Sequence, residues 1–401
     1  MAKEAYLYPL IVLLLLIHVS AQLLQLPPPT GLFTIGTVEV QIHDSGRVDV
    51  LAPTPNIPRT FMVQVFYPAK YSTLHTLYYA VPYIKQHAAL AYEAAKGLQA
   101  GTLSALQSNS LPGATLYVAD GNLTNIIVFS PGFQISRVFY TSILEDLASK
   151  GYVVVAIDHT YDAEAVEMAD GSVATGRFVG VPEADLDLSE VAQAFTARTE
   201  DVVYVLNEVR EIMAHVPGFT DFVDIGGLAV FGHSFGGAAA AEVCWLDGRV
   251  LGGLNMDGDF YGEVVGKGLN KPFMYMDSAH GDDVIRSPAQ VEVWERLRSW
   301  RRHVRVSGLR HMGYSDFPML IELLGLAQEI PEDVYEDLYG AAEAARSALV
   351  VKTFVAAFFD FLFTGVKSVL LSNELNEEWP EVSFPMGRDF RLLQVSSDTF
   401  S

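Results

Sequence analysis

The pentapeptide Gly232-His233-Ser234-Phe235-Gly236 constrains what this chain can fold into more than any other stretch. A Gly-x-Ser-x-Gly match alone is weak, because glycine and serine are common. Here it follows a short apolar run at residues 227–231 and opens a run of small residues at 236–241. That order reads as strand, turn, helix. A serine on such a turn is forced outward on a strained backbone, and the flanking glycines remove side chains that would clash there. The small residues that follow let the helix lie close on a sheet.

The rest of the sequence supplies that sheet. From about residue 32, strand-like and helix-like segments alternate, the pattern of a mostly parallel sheet flanked by helices. Strands are predicted at 61–67, 125–129, 152–157, 227–231, 251–256, 272–276 and 301–306. Helices are predicted at 139–150, stopped by Gly151, and at 200–216. The fold class expected is α/β, an α/β-hydrolase fold. Residues 71–111, rich in Tyr and Ala, and 161–188, acidic and glycine-containing, fit the alternation badly and are expected to be insertions or lid elements. Residues 353–371 are apolar but carry Asp360 and Lys367, so they read as a helix buried against the sheet, not a membrane span.

Composition bounds the function classes. Of 401 residues, 50% are hydrophobic and 18% charged, which describes a globular protein with a large core. The 26 basic and 48 acidic residues give a formal charge of −22. Such a field repels a phosphate backbone, so nucleic acid is excluded as a partner and anionic membrane surfaces are disfavoured. Lys3 precedes an apolar run at residues 7–19, and Val19-Ser20-Ala21 offers small residues for cleavage. This reads as a signal peptide over 1–21, too short for the roughly 20 apolar residues of a spanning helix, with an uncleaved anchor as the alternative. A linker over 22–31, containing Pro27-Pro28-Pro29, a hydrolase domain over 32–371 and a C-terminal tail over 372–401 complete the expected organisation. Asn122-Leu123-Thr124 is a glycosylation sequon consistent with secretion. Cys244 is the single cysteine and lies in an apolar segment, so a buried structural thiol is expected and no cysteine metal site can be built.

A serine hydroxyl needs a base to take its proton. In this fold the triad follows the chain order Ser, Asp, His, and His280, His303 and His311 are the histidines beyond Ser234. His303 falls within a predicted strand and His280 comes too early, whereas His311 follows the last strand, so His311 is the expected base. Asp257 and Asp277 end the two strands after the nucleophile strand. Either could accept the Nδ1 proton of His311, and Asp259 is a weaker third candidate. The developing oxyanion needs backbone N–H donors. One is expected at Phe235, after the nucleophile. The other is expected at Phe133, where Gly132 lets the backbone approach after the strand at 125–129. His159 follows another strand and is expected to have a structural role, with pocket lining as the alternative. No metal or cofactor is expected.

Taken together, Gly232-His233-Ser234-Phe235-Gly236-Gly237, Asn255-Met256-Asp257-Gly258, His311 ahead of Phe317 and Pro131-Gly132-Phe133 resemble the plasma-type platelet-activating-factor acetylhydrolase family. The segment Leu147-Ala148-Ser149-Lys150-Gly151-Tyr152-Val153-Val154 is similar to the helix and strand after that family's oxyanion loop. Ser130-Pro131-Gly132 departs from it by lacking the His-Gly of many members. The resemblance implies a metal-independent serine phospholipase A2 acting on short or oxidised sn-2 acyl esters, and it implies Asp257 as the acid. It also implies a phospholipid substrate, with transient contact to a lipid surface. The competing readings are a general carboxylesterase or lipase on neutral esters or polyesters, and a non-catalytic hydrolase-fold protein that binds a lipid or a partner.

Overall fold

Val153–Asp158 shows how this chain makes its sheet: a six-residue strand rich in valine whose residues are all buried. Side chains alternate between faces, so such a strand must be covered by helices on both sides. The computed structural model describes residues 24–70, 81–118, 123–181, 185–220, 223–278, 287–372 and 377–385. Among the described residues ten strands form one sheet. They are β1 (Thr34–Val48), β2 (Pro58–Ala69), β3 (Leu111–Pro112), β4 (Leu123–Ser130) and β5 (Val153–Asp158). They continue with β6 (Asp224–His233), β7 (Val250–Met256), β8 (Phe273–Ser278), β9 (Arg301–Val306) and β10 (Val382–Ser383).

Across the sheet the order is β10-β9-β8-β7-β6-β4-β5-β2-β1-β3. The strands from β5 to β9 in that order are all parallel, while β2 joins β5 and β10 joins β9 in antiparallel fashion. This is the mostly parallel sheet of an α/β-hydrolase fold. After β4 the chain moves outward to β5, and then returns to place β6 on the opposite side of β4. The crevice at the carboxyl ends of β4 and β6 is therefore a topological switch point, where open α/β sheets bind ligands.

The alternation of side chains divides the core. Ile127, Phe129, Ala229 and Phe231 face helices α2 (Thr141–Ser149) and α5 (Ala344–Thr364), with α1 (Gln86–Lys96) packed on the same side. Ile126, Val128, Leu228 and Val230 face α3 (Leu188–Asn207) and α4 (Phe235–Leu246). Cys244 lies fully buried on α4, and burial pushes its thiol up to about 12.

Several boundaries differ from the sequence expectation. The helix expected at 353–371 instead spans Ala344–Thr364 and stops at Gly365, which adopts the left-handed conformation of a helix end. It is long and apolar enough to cross a membrane, yet Phe354, Val355, Phe358 and Phe359 are buried against the sheet. The stretch expected as a linker packs on the fold: Leu26 is buried, and Leu24–Gln25 pairs with Leu106–Gln107. The stretch expected as a tail contributes β10 and the buried Trp379. Short strands and isolated anchors like these carry no periodicity to read. Residues 1–21 and Asn122 lie outside the described residues, as does His280.

Candidate active site

Ser234 sits at the crevice between β6 and α4 with φ 55° and ψ −122°, a backbone conformation that L-residues rarely hold. Two close approaches keep it there. A Cβ on Gly232 would come within 2.3 Å of Gly236, and a Cβ on Gly236 would lie 2.0 Å from the Ser130 carbonyl oxygen. Only glycine lets β4, β6 and the start of α4 pack this tightly. The Ser234 N–H donates to the Met256 carbonyl at 2.8 Å, tying the turn to β7.

The structure brings Ser234, His311 and Asp257 together. Ser234 Oγ lies 3.0 Å from His311 Nε2, and His311 Nδ1 lies 2.7 Å from Asp257 Oδ2. Asp257 also has a positive φ of 55° at the end of β7, and the Ser278 N–H and Oγ hold its other oxygen at 2.8 and 3.0 Å. Its carboxylate is thus oriented from both sides. In this arrangement the imidazole can accept the serine proton at Nε2 while Nδ1–H stays bonded to the carboxylate.

Asp277 is not part of this group. It belongs to β8, where Arg305 Nε and Nη2 bind its oxygens at 2.9 and 2.7 Å and His303 Nε2 lies 2.8 Å away. Burial opposes its charge, but the two cationic-side partners outweigh burial and hold the carboxyl below its ordinary range. Asp259 accepts from Ser287 Oγ at 2.5 Å and likewise stands apart from His311.

Phe235 follows Ser234 at the start of α4, and Phe133 lies in the loop after β4. Among the described residues, neither backbone N–H donates to a protein acceptor. Their rings touch, with centroids 5.2 Å apart, and join a wider aromatic cluster. Phe178 packs at a tilt on Phe133 at 4.9 Å and Phe195 on Phe235 at 5.4 Å, while Tyr261 meets both Phe195 and Phe235 edge to face. Phe178 comes from the 161–188 region, which also forms a small hairpin of Ala165–Glu167 and Val173–Thr175.

Three side chains to which the sequence assigns no role in the site adjoin this group. His233 is buried beside His311. The His311 carbonyl beside His233 Nε2 can only accept, so the proton of this neutral ring is on Nε2, and Nδ1 accepts from Tyr140 Oη at 2.8 Å, whose oxygen accepts the Gly132 N–H at 3.2 Å. Nε2–H then donates to the His311 carbonyl at 2.9 Å. Burial first, and the neighbouring His311 second, hold His233 well below the ordinary histidine range, so it stays neutral. The third is Arg198, fully buried on α3. The signal that could have found it is a charged residue on an apolar helix face: Arg198 and Asp201 share that face with Ala194, Ala197, Val202 and Val205. His159 proves structural. Its Nδ1–H donates to Asp201 at 2.9 Å and its Nε2 accepts from Ser130 Oγ at 2.9 Å. Among the described residues, no group of three or more His, Cys, Asp or Glu side chains could hold a metal ion.

Residues 20–329 match the family model described as platelet-activating factor acetylhydrolase, isoform II. The chain belongs to that family. A "Probable 1-alkyl-2-acetylglycerophosphocholine esterase" of Arthroderma benhamiae is 28% identical over 382 residues, covering 90% of this chain and 93% of the relative. The platelet-activating factor acetylhydrolase of Cavia porcellus is 24% identical over 249 residues, 55% of this chain and 56% of the relative. Among solved structures, a ferulic acid esterase from Streptomyces cinnamoneus superposes with a TM-score of 0.76 at 30% identity, covering 90% of this chain and 99% of that one. As a platelet-activating factor acetylhydrolase family member with an esterase fold, the chain is a carboxylic-ester hydrolase.

Proposed function

We propose that this chain is a secreted serine phospholipase A2 that removes acetyl and other short or oxidised acyl groups from the sn-2 position of glycerophospholipids. The observation that carries the reading is the hydrogen-bonded series Ser234, His311, Asp257 at 3.0 and 2.7 Å, beside two unengaged backbone N–H groups, in a chain of this family. His311 takes the Ser234 proton as Oγ attacks the sn-2 carbonyl. The Phe133 and Phe235 N–H groups bind the oxyanion and Asp257 stabilises the imidazolium. His311 then protonates the leaving lyso-lipid oxygen. Water, giving its proton to His311, hydrolyses the acyl-Ser234 ester and frees the acid.

A broader carboxylesterase is the second reading. The five rings of Phe133, Phe178, Phe195, Phe235 and Tyr261 beside the nucleophile favour it, since an aromatic surface binds many apolar acyl groups. Secretion and a glycan on Asn122 belong to the proposal and are checked by N-terminal sequencing and by a mobility shift on deglycosylation.

The deciding assay sets phosphatidylcholines of graded sn-2 length beside simple p-nitrophenyl esters. Preference for short sn-2 acyl groups on a phospholipid supports the first reading, and indifference to the head group supports the second. Ser234→Ala lowers turnover by roughly 10⁶-fold if the three side chains act as a unit. Hydrolysis retained in that variant overturns Ser234 as the nucleophile, and a parent protein that hydrolyses no ester and takes no fluorophosphonate on Ser234 leaves a non-catalytic binder.

A further inference from the structure

Arg198 is placed to aim the oxyanion donor. Its side chain is fully buried on α3 and reaches across to the loop after β4. There Nη1 donates to Ser130 Oγ at 3.1 Å and to the Pro131 carbonyl, and Nη2 donates to the Gly132 carbonyl at 3.3 Å. Nη2 also pairs with Asp162 Oδ2 at 2.7 Å. The other oxygen of Asp162 accepts the Gln134 N–H at 2.9 Å, where Gln134 holds a φ of 63°.

These contacts account for the loop peptide by peptide. The Pro131–Gly132 unit is held at both ends, its carbonyl by Arg198 and its N–H by Tyr140. The Gly132–Phe133 unit is held at its carbonyl by Arg198 and by the Ile135 N–H at 3.2 Å. The N–H groups of Gly132, Gln134 and Ile135 are all engaged, which leaves that of Phe133. In a planar trans peptide the C=O and N–H point in opposite directions. Fixing the Gly132 oxygen on the guanidinium therefore fixes the Phe133 N–H pointing away from it. A charged donor on the carbonyl also polarises the peptide and strengthens its N–H as a donor.

From this geometry we infer that Arg198 is a positioning residue, which preorganises the Phe133 N–H for the transition state without touching substrate. The inference rests on the reading of Phe133 as an oxyanion donor. Lysine cannot replace Arg198, because an ammonium lacks the planar fork that serves two carbonyls and a carboxylate at once.

The test compares Arg198→Lys with the parent protein on p-nitrophenyl acetate and its thiono analogue. Sulfur is a poor hydrogen-bond acceptor, so the oxo-to-thiono rate ratio reports the donors at the oxyanion and not the general integrity of the fold. Losing one oxyanion donor lowers kcat by about 10²–10³-fold, and misaiming one should cost about 10- to 100-fold. The expected result is that loss in kcat on the oxo ester, with KM nearly unchanged and the oxo-to-thiono ratio falling by the same factor. Equal losses on both esters, or an unchanged kcat, overturn the inference. If Arg198→Lys does not fold, Asp162→Asn, which removes the anion holding the guanidinium, should lower the ratio in the same direction, and an unchanged ratio there overturns it too. Parent protein that fails to take a fluorophosphonate on Ser234 defeats the reading of the site itself, a separate outcome from an Arg198 variant that keeps the parent ratio.

Discussion

His311 Nδ1 lies 2.7 Å from Asp257 Oδ2, while Asp277, one strand further along the sheet, is bound by Arg305 at 2.9 and 2.7 Å. Two aspartates that end neighbouring strands therefore have different work. One holds the His311 ring, and the other satisfies a buried arginine.

Asp257→Asn should lower kcat by about 10⁴-fold with little change in melting temperature, because the amide no longer holds the imidazole in its working tautomer. Asp277→Asn should do the opposite. It leaves Arg305 without its anion and should destabilise the fold by about 3 kcal/mol, as breaking a buried pair does, while kcat per folded molecule stays within a few-fold. Parallel melting curves and ester assays check both. An Asp277→Asn protein that is stable and inactive would reverse the assignment.

Gly236→Ala should damage the site and the fold together. The added methyl would stand 2.0 Å from the Ser130 carbonyl and 2.4 Å from that of Pro131, so the loop carrying Phe133 must move. Overpacking of this kind costs about 1–3 kcal/mol, and activity should fall by about 10²-fold or more, the scale of a lost oxyanion donor. Differential scanning calorimetry beside a p-nitrophenyl acetate assay measures the two effects.

Acidification should weaken the fold before most carboxylates titrate. Burial, with Arg198 adding to it, lowers His159 from the ordinary 6.5 to about 4. The unfolded chain then binds that proton first, so stability falls as the pH drops from 6.5 to about 4, at up to about 1.4 kcal/mol per pH unit for this group. Below that window the loss continues, because Arg59 and His159 outweigh burial to hold Asp201 below its ordinary range. Urea unfolding at pH 7, 5.5 and 4 should show the slope, and His159→Gln should reduce it between 6.5 and 4, leaving the share of the likewise lowered His233. An identical slope in that variant would remove His159 as its source.

Phe195→Ala should change which acyl groups are accepted. Phe195 is only partly buried and contacts the rings of Phe235 and Tyr261 at 5.4 and 5.6 Å, so its loss should open space beside Ser234 without emptying the core. The kcat/KM for acetyl esters should fall by about 10- to 200-fold, since apolar contacts of this size discriminate by about 1–3 kcal/mol, while longer acyl groups should gain relative to acetyl. A chain-length profile that keeps its shape would place the acyl group elsewhere.

The strands and the nucleophile turn were legible because their signals are local. A β-branched run such as residues 153–157 has few alternatives to a doubly covered strand, and Gly232-His233-Ser234-Phe235-Gly236 has its strand and helix on either side. His311 could be expected beside Ser234 from chain order together with its placement after the last strand. Less local features escaped. Nothing in the sequence shows that residues 24–25 and 382–383 complete sheets, because two-residue strands have no period. Arg198 left a trace, a cation on an apolar helix face, but its target lies 66 residues away in the loop at Gly132.

The sequence by itself determined the elbow at Ser234, since its glycines and small residues admit one local geometry, and it narrowed the acid to Asp257 or Asp277. The family resemblance pointed to Asp257, but only the tertiary structure shows the physical difference between the two, one strand end facing His311 and the other Arg305. It also brought His233 and Arg198 to their partners. A hydrogen bond to a backbone carbonyl far away in sequence depends on where the chain returns, and chain return is set by the order of strands across the sheet.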